Sequence, residues 1–246
     1  MKVLTPAERL IVAADFKPQG FHGRDQVERK VLLLADSLKG TGVYLKVNSA
    51  LRACGYDLIG EIHERGLKVF ADLKLFDIGE TLSTDGMLLR EAKPELLTTV
   101  CSAGVVAIKA LKAELPDTEV LGVTVLTSVG QNEVGEMFNH VVLLDNVCMF
   151  ARKATEAGID GIICAPVEAC FVRENILSNM TINTPGIRPV WAIVPGDDQN
   201  PERIMTPAKA IKAGADRIIV GRPIVKAERP YDAVMRTIEE IASVTA

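Results

Sequence analysis

The stretch KVFADLKLFDIGET, Lys68 to Thr81, sets Asp72, Lys74, Asp77 and Glu80 among Val69, Phe70, Ala71, Leu73, Leu75, Phe76 and Ile78. The apolar majority reads as a buried strand. Strand side chains alternate between faces, so Asp72 and Lys74 share one face while Leu73 and Leu75 take the other. A buried charge is costly unless it is paired. An Asp and a Lys on one buried face therefore form a matched set. A network that merely stabilises is the plainer explanation, but such networks stabilise weakly, and charges in unusual surroundings gather at functional sites. Asp72 and Lys74 are accordingly read as site residues, and Glu80 as the start of the following helix.

Similar segments recur along the chain. The candidate strands are RLIVAAD (9–15), GVYLKV (42–47), KVFADLKL (68–75), LLTTVCS (96–102), EVLGVTVL (119–126), GIDGIICA (158–165), MTINTPGI (180–187) and DRIIVGR (216–222). Between them lie stretches with a period of about 3.6 residues, clearest in GRDQVERKVLLLADSL and LLDNVCMFARKATEAG. Several end in a glycine just ahead of the next strand, as in HERGLKV and KAGADR, which is the expected helix C-cap. Nearly continuous apolar strands, each followed by a helix, imply a parallel sheet covered by helices. In 246 residues this predicts an α/β fold, a TIM (β/α)8 barrel, with residues 1–246 as a single domain. An open doubly wound sheet is the alternative. It usually has fewer strands, and no GxGxxG follows the first candidate strand. RPVWAIVPGDDQNP, 188–201, is the longest stretch without periodicity and reads as a lid loop.

The chain is 48% hydrophobic and 24% charged, the balance of an ordinary globular protein. A net charge of −4, without a Lys/Arg-rich run, argues against a nucleic-acid partner. No apolar run approaches the roughly 18 residues that span a bilayer, and MKVLTPAERLIVAADF lacks the long apolar segment and small-residue cleavage site expected of a leader. The expectation is a cytoplasmic protein with no membrane partner. Cys54, Cys101, Cys148, Cys164 and Cys170 form no CxxC pair, which predicts free thiols. His22, His63 and His140 have no metal-ligand spacing, so no metal is expected.

In a barrel the site lies at the C-terminal ends of the strands. The sequence places Asp15 at the end of the first candidate strand with Lys17 just beyond it, and Lys46 on the second. Asp72, Lys74 and Asp77 come from the third, Thr127 and Ser128 from the fifth, Pro185, Gly186 and Arg188 from the seventh, and Gly221 and Arg222 from the eighth. Singly, each has a bland reading: Asp15 as a rim residue, Ser128 as a helix cap, Arg222 as a surface ion pair. Together they converge on one end of the barrel. Lys46, on the neighbouring strand, reaches the Asp72–Lys74 pair and makes an alternating network. Loops after the seventh and eighth strands are the usual barrel phosphate site. VGRPI (220–224) puts Gly221 and Arg222 at such a strand-to-helix junction, so a phosphate-bearing ligand is expected there, with Arg188 adding charge.

DLKLFDIGET resembles the D-x-K-x-x-D-I-x-x-T signature of the orotidine 5′-monophosphate decarboxylase family. AADF (13–16), LKV (45–47), TVLTS (124–128), TPGIR (184–188), DQNPERIMTP (198–207) and IIVGRPI (218–224) resemble its other segments in order and spacing. The D-x-K-x-x-D core alone is shared with Mg²⁺-using sugar-phosphate decarboxylases and hexulose-phosphate synthases. Ile78, Thr81 and TPGIR favour the orotidylate enzymes. The resemblance implies cofactor-free decarboxylation of orotidine 5′-monophosphate to uridine 5′-monophosphate, the last step of de novo pyrimidine biosynthesis. It implies Lys74 as proton donor to pyrimidine C6, flanked by Asp72 and Lys46. Asp77 would complete the tetrad in the neighbouring subunit's site, together with Ile78 and Thr81, which implies a homodimer with shared sites. Asp15 and Lys46 would contact the ribose and Ser128 the pyrimidine. Pro185 would line the substrate, and Arg188, Gln199, Gly221 and Arg222 would hold the 5′-phosphate. The chain departs from the family at Cys101-Ser102, where a His-Ala pair is usual, and at Trp191 in the lid. A barrel that binds nucleotide without catalysis remains the third reading, though it has no need of a buried lysine between acids.

Overall fold

A computed structural model describes residues 3–20, 22–138, 141–176, 179–192 and 201–245. Among these, eight parallel strands close into a barrel in chain order. They are β1 (Leu10–Ala13), β2 (Tyr44–Val47), β3 (Lys68–Leu75), β4 (Leu96–Val100), β5 (Glu119–Val123), β6 (Gly161–Ile163), β7 (Thr181–Thr184) and β8 (Arg217–Val220). Closure comes from β1, which pairs with both β2 and β8. The predicted TIM barrel is therefore the fold, and each candidate segment contains one strand. The two segments with the clearest helical period form the helices Gly23–Ser37 and Leu143–Ala157. No helix among the described residues is long and apolar enough to cross a membrane.

The strands are apolar on both faces because both faces are buried. Ile11, Tyr44, Phe70, Leu96, Leu121 and Ile219 fill the barrel interior. Their neighbours Leu10, Leu45, Val69, Leu97, Val120 and Ile218 pack outward under the helices. The wall is tightest at Gly161. A Cβ there would press on Thr181 Oγ1 and lie 2.7 Å from the Thr181 carbonyl, so β6 and β7 meet only across a glycine. Gly158 and Gly214, at φ of 69° and 99°, end their helices in the left-handed region that glycine adopts without strain.

The N-terminal end of the barrel is plugged by polar side chains. Arg217 is fully buried and donates to both carboxylate oxygens of Glu119, at 2.9 and 2.8 Å. Its guanidinium lies 5.3 Å from the Tyr44 ring centroid. A buried arginine is tolerated because its fork is matched by a carboxylate. Acids just ahead of three even-numbered strands repeat one device. Glu95, Asp160 and Asp216 accept the N–H groups of Val69, Val120 and Ile182 at 2.7, 2.8 and 2.7 Å. Each is also paired, with His63, Lys112 and Arg173 respectively. This end of a barrel serves stability, which leaves the opposite end for chemistry.

Candidate active site

At the opposite end β3 departs from a regular strand. Ala71 pairs with Leu97, but the next paired residue is Leu75, opposite Thr99. Four residues of β3 thus advance against two of β4, and Lys74 takes a φ of 51°. The meeting of Asp72 and Lys74 is therefore not the product of unbroken period-two alternation, as the sequence suggests. A bulge re-aims the lysine, as bulges beside active sites commonly do. Leu73 and Leu75 still pack outward, under the helices.

The charges form a continuous chain. Lys46 reaches up from β2 and donates to Asp15 at 3.1 and 2.9 Å and to Asp72 Oδ2 at 3.0 Å. Lys74 Nζ lies 2.7 Å from both Asp72 oxygens. Lys46 and Asp72 are buried. The outer members face solvent, with side-chain exposures of 55% for Asp15 and 31% for Lys74. Burial opposes the charge on Asp72, but Lys46 and Lys74 outweigh it and hold its pKa at about 2. Burial likewise opposes the charge on Lys46, yet Asp72 and Asp15 raise its pKa above the ordinary value. Asp72 is thus a carboxylate and Lys46 an ammonium throughout the neutral range. Lys74 is the one cation of the chain set at the open mouth, with its Nζ already fixed by hydrogen bonds.

The remaining sequence candidates among the described residues stand on the same end. Asp77 is exposed and accepts the Ile78 N–H at 2.7 Å. Among the described residues it makes no ion pair with Lys46 or Lys74, so within one chain the expected tetrad is a triad plus Asp15. Ile78 precedes the helix Gly79–Ala92, in whose exposed first turn Glu80 and Thr81 lie. Ser128 is exposed in the turn after β5. Pro185 is half-buried after β7. Arg188 donates its backbone N–H to Met205 at 2.9 Å, and Met205 donates to Gly186 at 3.2 Å. The two ends of the 188–201 loop are thereby pinned together. Gln199 lies outside the described residues. Gly221 follows β8, and Arg222 opens a helix of only four residues, Arg222–Val225.

Two features escape a sequence reading. Arg203, just beyond the 188–201 loop, is buried and donates to the carbonyls of Leu126 and Val129 at 2.7 and 2.9 Å. It also pairs with the buried Glu168. One guanidinium thus ties the far end of the loop to the turn that carries Ser128. Thr98 on β4 accepts the Lys74 N–H and donates to Asp72, each at 2.9 Å. No local pattern announces either. Cys101 is buried beneath Gly122, where an added Cβ would lie 2.6 Å from its sulfur. Burial pushes its thiol pKa to about 12, so it is an inert filler. All five cysteines are free.

A (β/α)8 barrel with an alternating chain of charge at its C-terminal mouth has the architecture of a TIM-barrel enzyme. The model of the Orotidine 5'-phosphate decarboxylase / HUMPS family matches residues 8–237, and the chain belongs to that family. It is similar to an orotidine 5'-phosphate decarboxylase of Methylobacterium sp. (strain 4-46), 38% identical over 243 residues, covering 97% of this chain and 98% of that one. Another from Synechocystis sp. (strain ATCC 27184 / PCC 6803 / Kazusa) is 34% identical over 218 residues, covering 87% and 93%. The crystal structure of an orotidine 5'-phosphate decarboxylase from Lactobacillus acidophilus superposes with a TM-score of 0.78 at 28% identity, covering 97% of this chain and all of the other.

Proposed function

We propose that this chain, acting as one catalytic domain, decarboxylates orotidine 5′-monophosphate to uridine 5′-monophosphate. The observation that carries the reading is the Asp15–Lys46–Asp72–Lys74 chain, with Lys74 Nζ fixed 2.7 Å from both Asp72 oxygens at the barrel mouth. In the proposed reaction the C6–carboxylate bond breaks, CO₂ leaves, and the electron pair stays on C6. Lys74 attracts that developing charge and gives C6 a proton, and solvent restores the proton to Lys74. Nothing need reorganise, because the ammonium is already aimed. Asp72 faces the substrate's own carboxylate and disfavours it, a strain relieved as CO₂ departs. Lys46 holds Asp72 ionised and, with Asp15, contacts the ribose. Ser128 contacts the pyrimidine and Pro185 lines it.

Arg188, Gln199, Gly221 and Arg222 are proposed to hold the 5′-phosphate, at the loops after β7 and β8. Phosphate binding there would draw the 188–201 loop closed and spend remote binding energy on the transition state. A second copy of the chain is proposed to bring its Asp77, Ile78 and Thr81 to this site. Supporting that, Phe76 and Ile78, on either side of Asp77, are 63% and 70% exposed, an apolar surface that association would cover. The proposed setting is the cytoplasm.

The test follows orotidylate absorbance with purified protein, with and without EDTA. Turnover that survives chelation is expected. Turnover lost to chelator would favour a divalent-metal sugar-phosphate chemistry instead. Nucleotide binding without any turnover would leave a binding protein.

A further inference from the structure

The bulge in β3 is held open by side chains of neighbouring elements, and one of them also touches the charges. Between Ala71 and Leu75 the backbone loses its ladder partners. Three backbone groups of this stretch are met by side chains. Arg52 donates to the Leu73 carbonyl at 2.6 Å and Thr99 to the Leu75 carbonyl at 2.9 Å. The Lys74 N–H donates to Thr98 Oγ1 at 2.9 Å. Lys74 itself holds a φ of 51°, which a residue with a Cβ keeps only where its surroundings enforce it. Thr98 does more than Arg52 or Thr99. Its hydroxyl proton goes to Asp72 Oδ1 at 2.9 Å, and the same oxygen accepts from Lys74 Nζ at 2.7 Å. Thr98 has no solvent exposure, so water cannot replace the hydroxyl. One hydroxyl therefore fixes both the backbone from which Lys74 springs and the carboxylate that its ammonium meets.

We propose that Thr98 is a positioning residue that sets the aim of the Lys74 ammonium. The proposal rests on the role given above to Lys74, and Thr98 acts through Lys74 and Asp72. Three variants separate positioning from packing. Thr98→Val keeps the shape and loses the hydroxyl. Thr98→Ser keeps the hydroxyl. Thr99→Val removes a bulge bond that does not reach Asp72. Loss of a hydrogen bond to a buried charged group is expected to lower kcat of Thr98→Val about 10- to 100-fold, with KM for orotidylate within about threefold. Thr98→Ser and Thr99→Val are expected to stay within about threefold of the parent kcat. In a crystal structure of Thr98→Val, Lys74 should leave the left-handed region or its Nζ should withdraw from Asp72. If Thr98→Val does not fold, Thr98→Cys, similar in volume but a poor donor, is read the same way. The proposal is overturned if Thr98→Val keeps the parent kcat, if Thr99→Val loses as much, or if the variant's crystal structure preserves both the φ and the Asp72 bonds. If the parent protein itself leaves orotidylate untouched, the proposed function falls. The crystal structure then still decides: a displaced Lys74 supports the role of Thr98 and an unmoved one overturns it.

Discussion

Acid should weaken this protein through Asp72 in particular. Two lysines outweigh burial and hold its carboxyl at about 2 in the folded chain, against 3.8 for an ordinary aspartate. A carboxyl whose folded pKa is depressed stabilises the fold fully above its unfolded pKa. That stability is lost as pH falls through the folded value. The window is therefore roughly pH 4 down to pH 2, and the difference corresponds to about 2 kcal/mol of folding free energy. Asp72→Asn removes the titration while keeping the shape and the contact with Thr98. Urea unfolding of the parent and Asp72→Asn at a series of pH values between about 5 and 2 isolates the effect, because all other acids titrate in both. The advantage of the parent should shrink by about 2 kcal/mol across that range. An advantage that stays constant, or that grows as the pH falls, would refute the claim that Lys46 and Lys74 hold Asp72 ionised.

Gly161→Ala should destabilise the barrel by about 1–3 kcal/mol, because a Cβ there meets the Thr181 backbone, and a lowered urea midpoint is the check. Arg203→Met should cost about 3–5 kcal/mol by leaving Glu168 buried without its partner. Arg203→Met with Glu168→Leu should recover part of that loss, which a double-mutant cycle by chemical unfolding measures. Phe76→Asp, beside Asp77 in the exposed loop, tests the proposed dimer: if a second copy completes the site with its Asp77, light-scattering mass should fall from that of two chains to that of one and turnover should drop in parallel.

The barrel was legible because its strands are buried on both faces and so read as short apolar runs. Their ends were not. RLIVAAD and GIDGIICA run past β1 and β6 because an apolar run does not separate a strand from the buried turn that follows it. Within GIDGIICA, Gly158 is a helix cap and Asp160 accepts the Val120 N–H, both ahead of the strand. In the site, Asp72, Lys74 and Lys46 stood out as charges inside apolar runs, and the structure joins them. The bulge at Lys74 leaves no such mark, because lysine carries no signature for a positive φ. Thr98 passes for an ordinary β-branched strand residue. Arg203 and Glu168 meet across 35 positions, beyond any local pattern. What periodicity and charge placement cannot register is pairing between distant loops, and that pairing is what fixes the mouth of this barrel.

Lys74→Ala offers the most direct test of the central claim that the aimed ammonium is the proton donor. Single-turnover CO₂ release from orotidylate should fall by at least about a thousandfold, while product nucleotide still binds with affinity close to that of the parent. CO₂ release within about tenfold of the parent would contradict the claim.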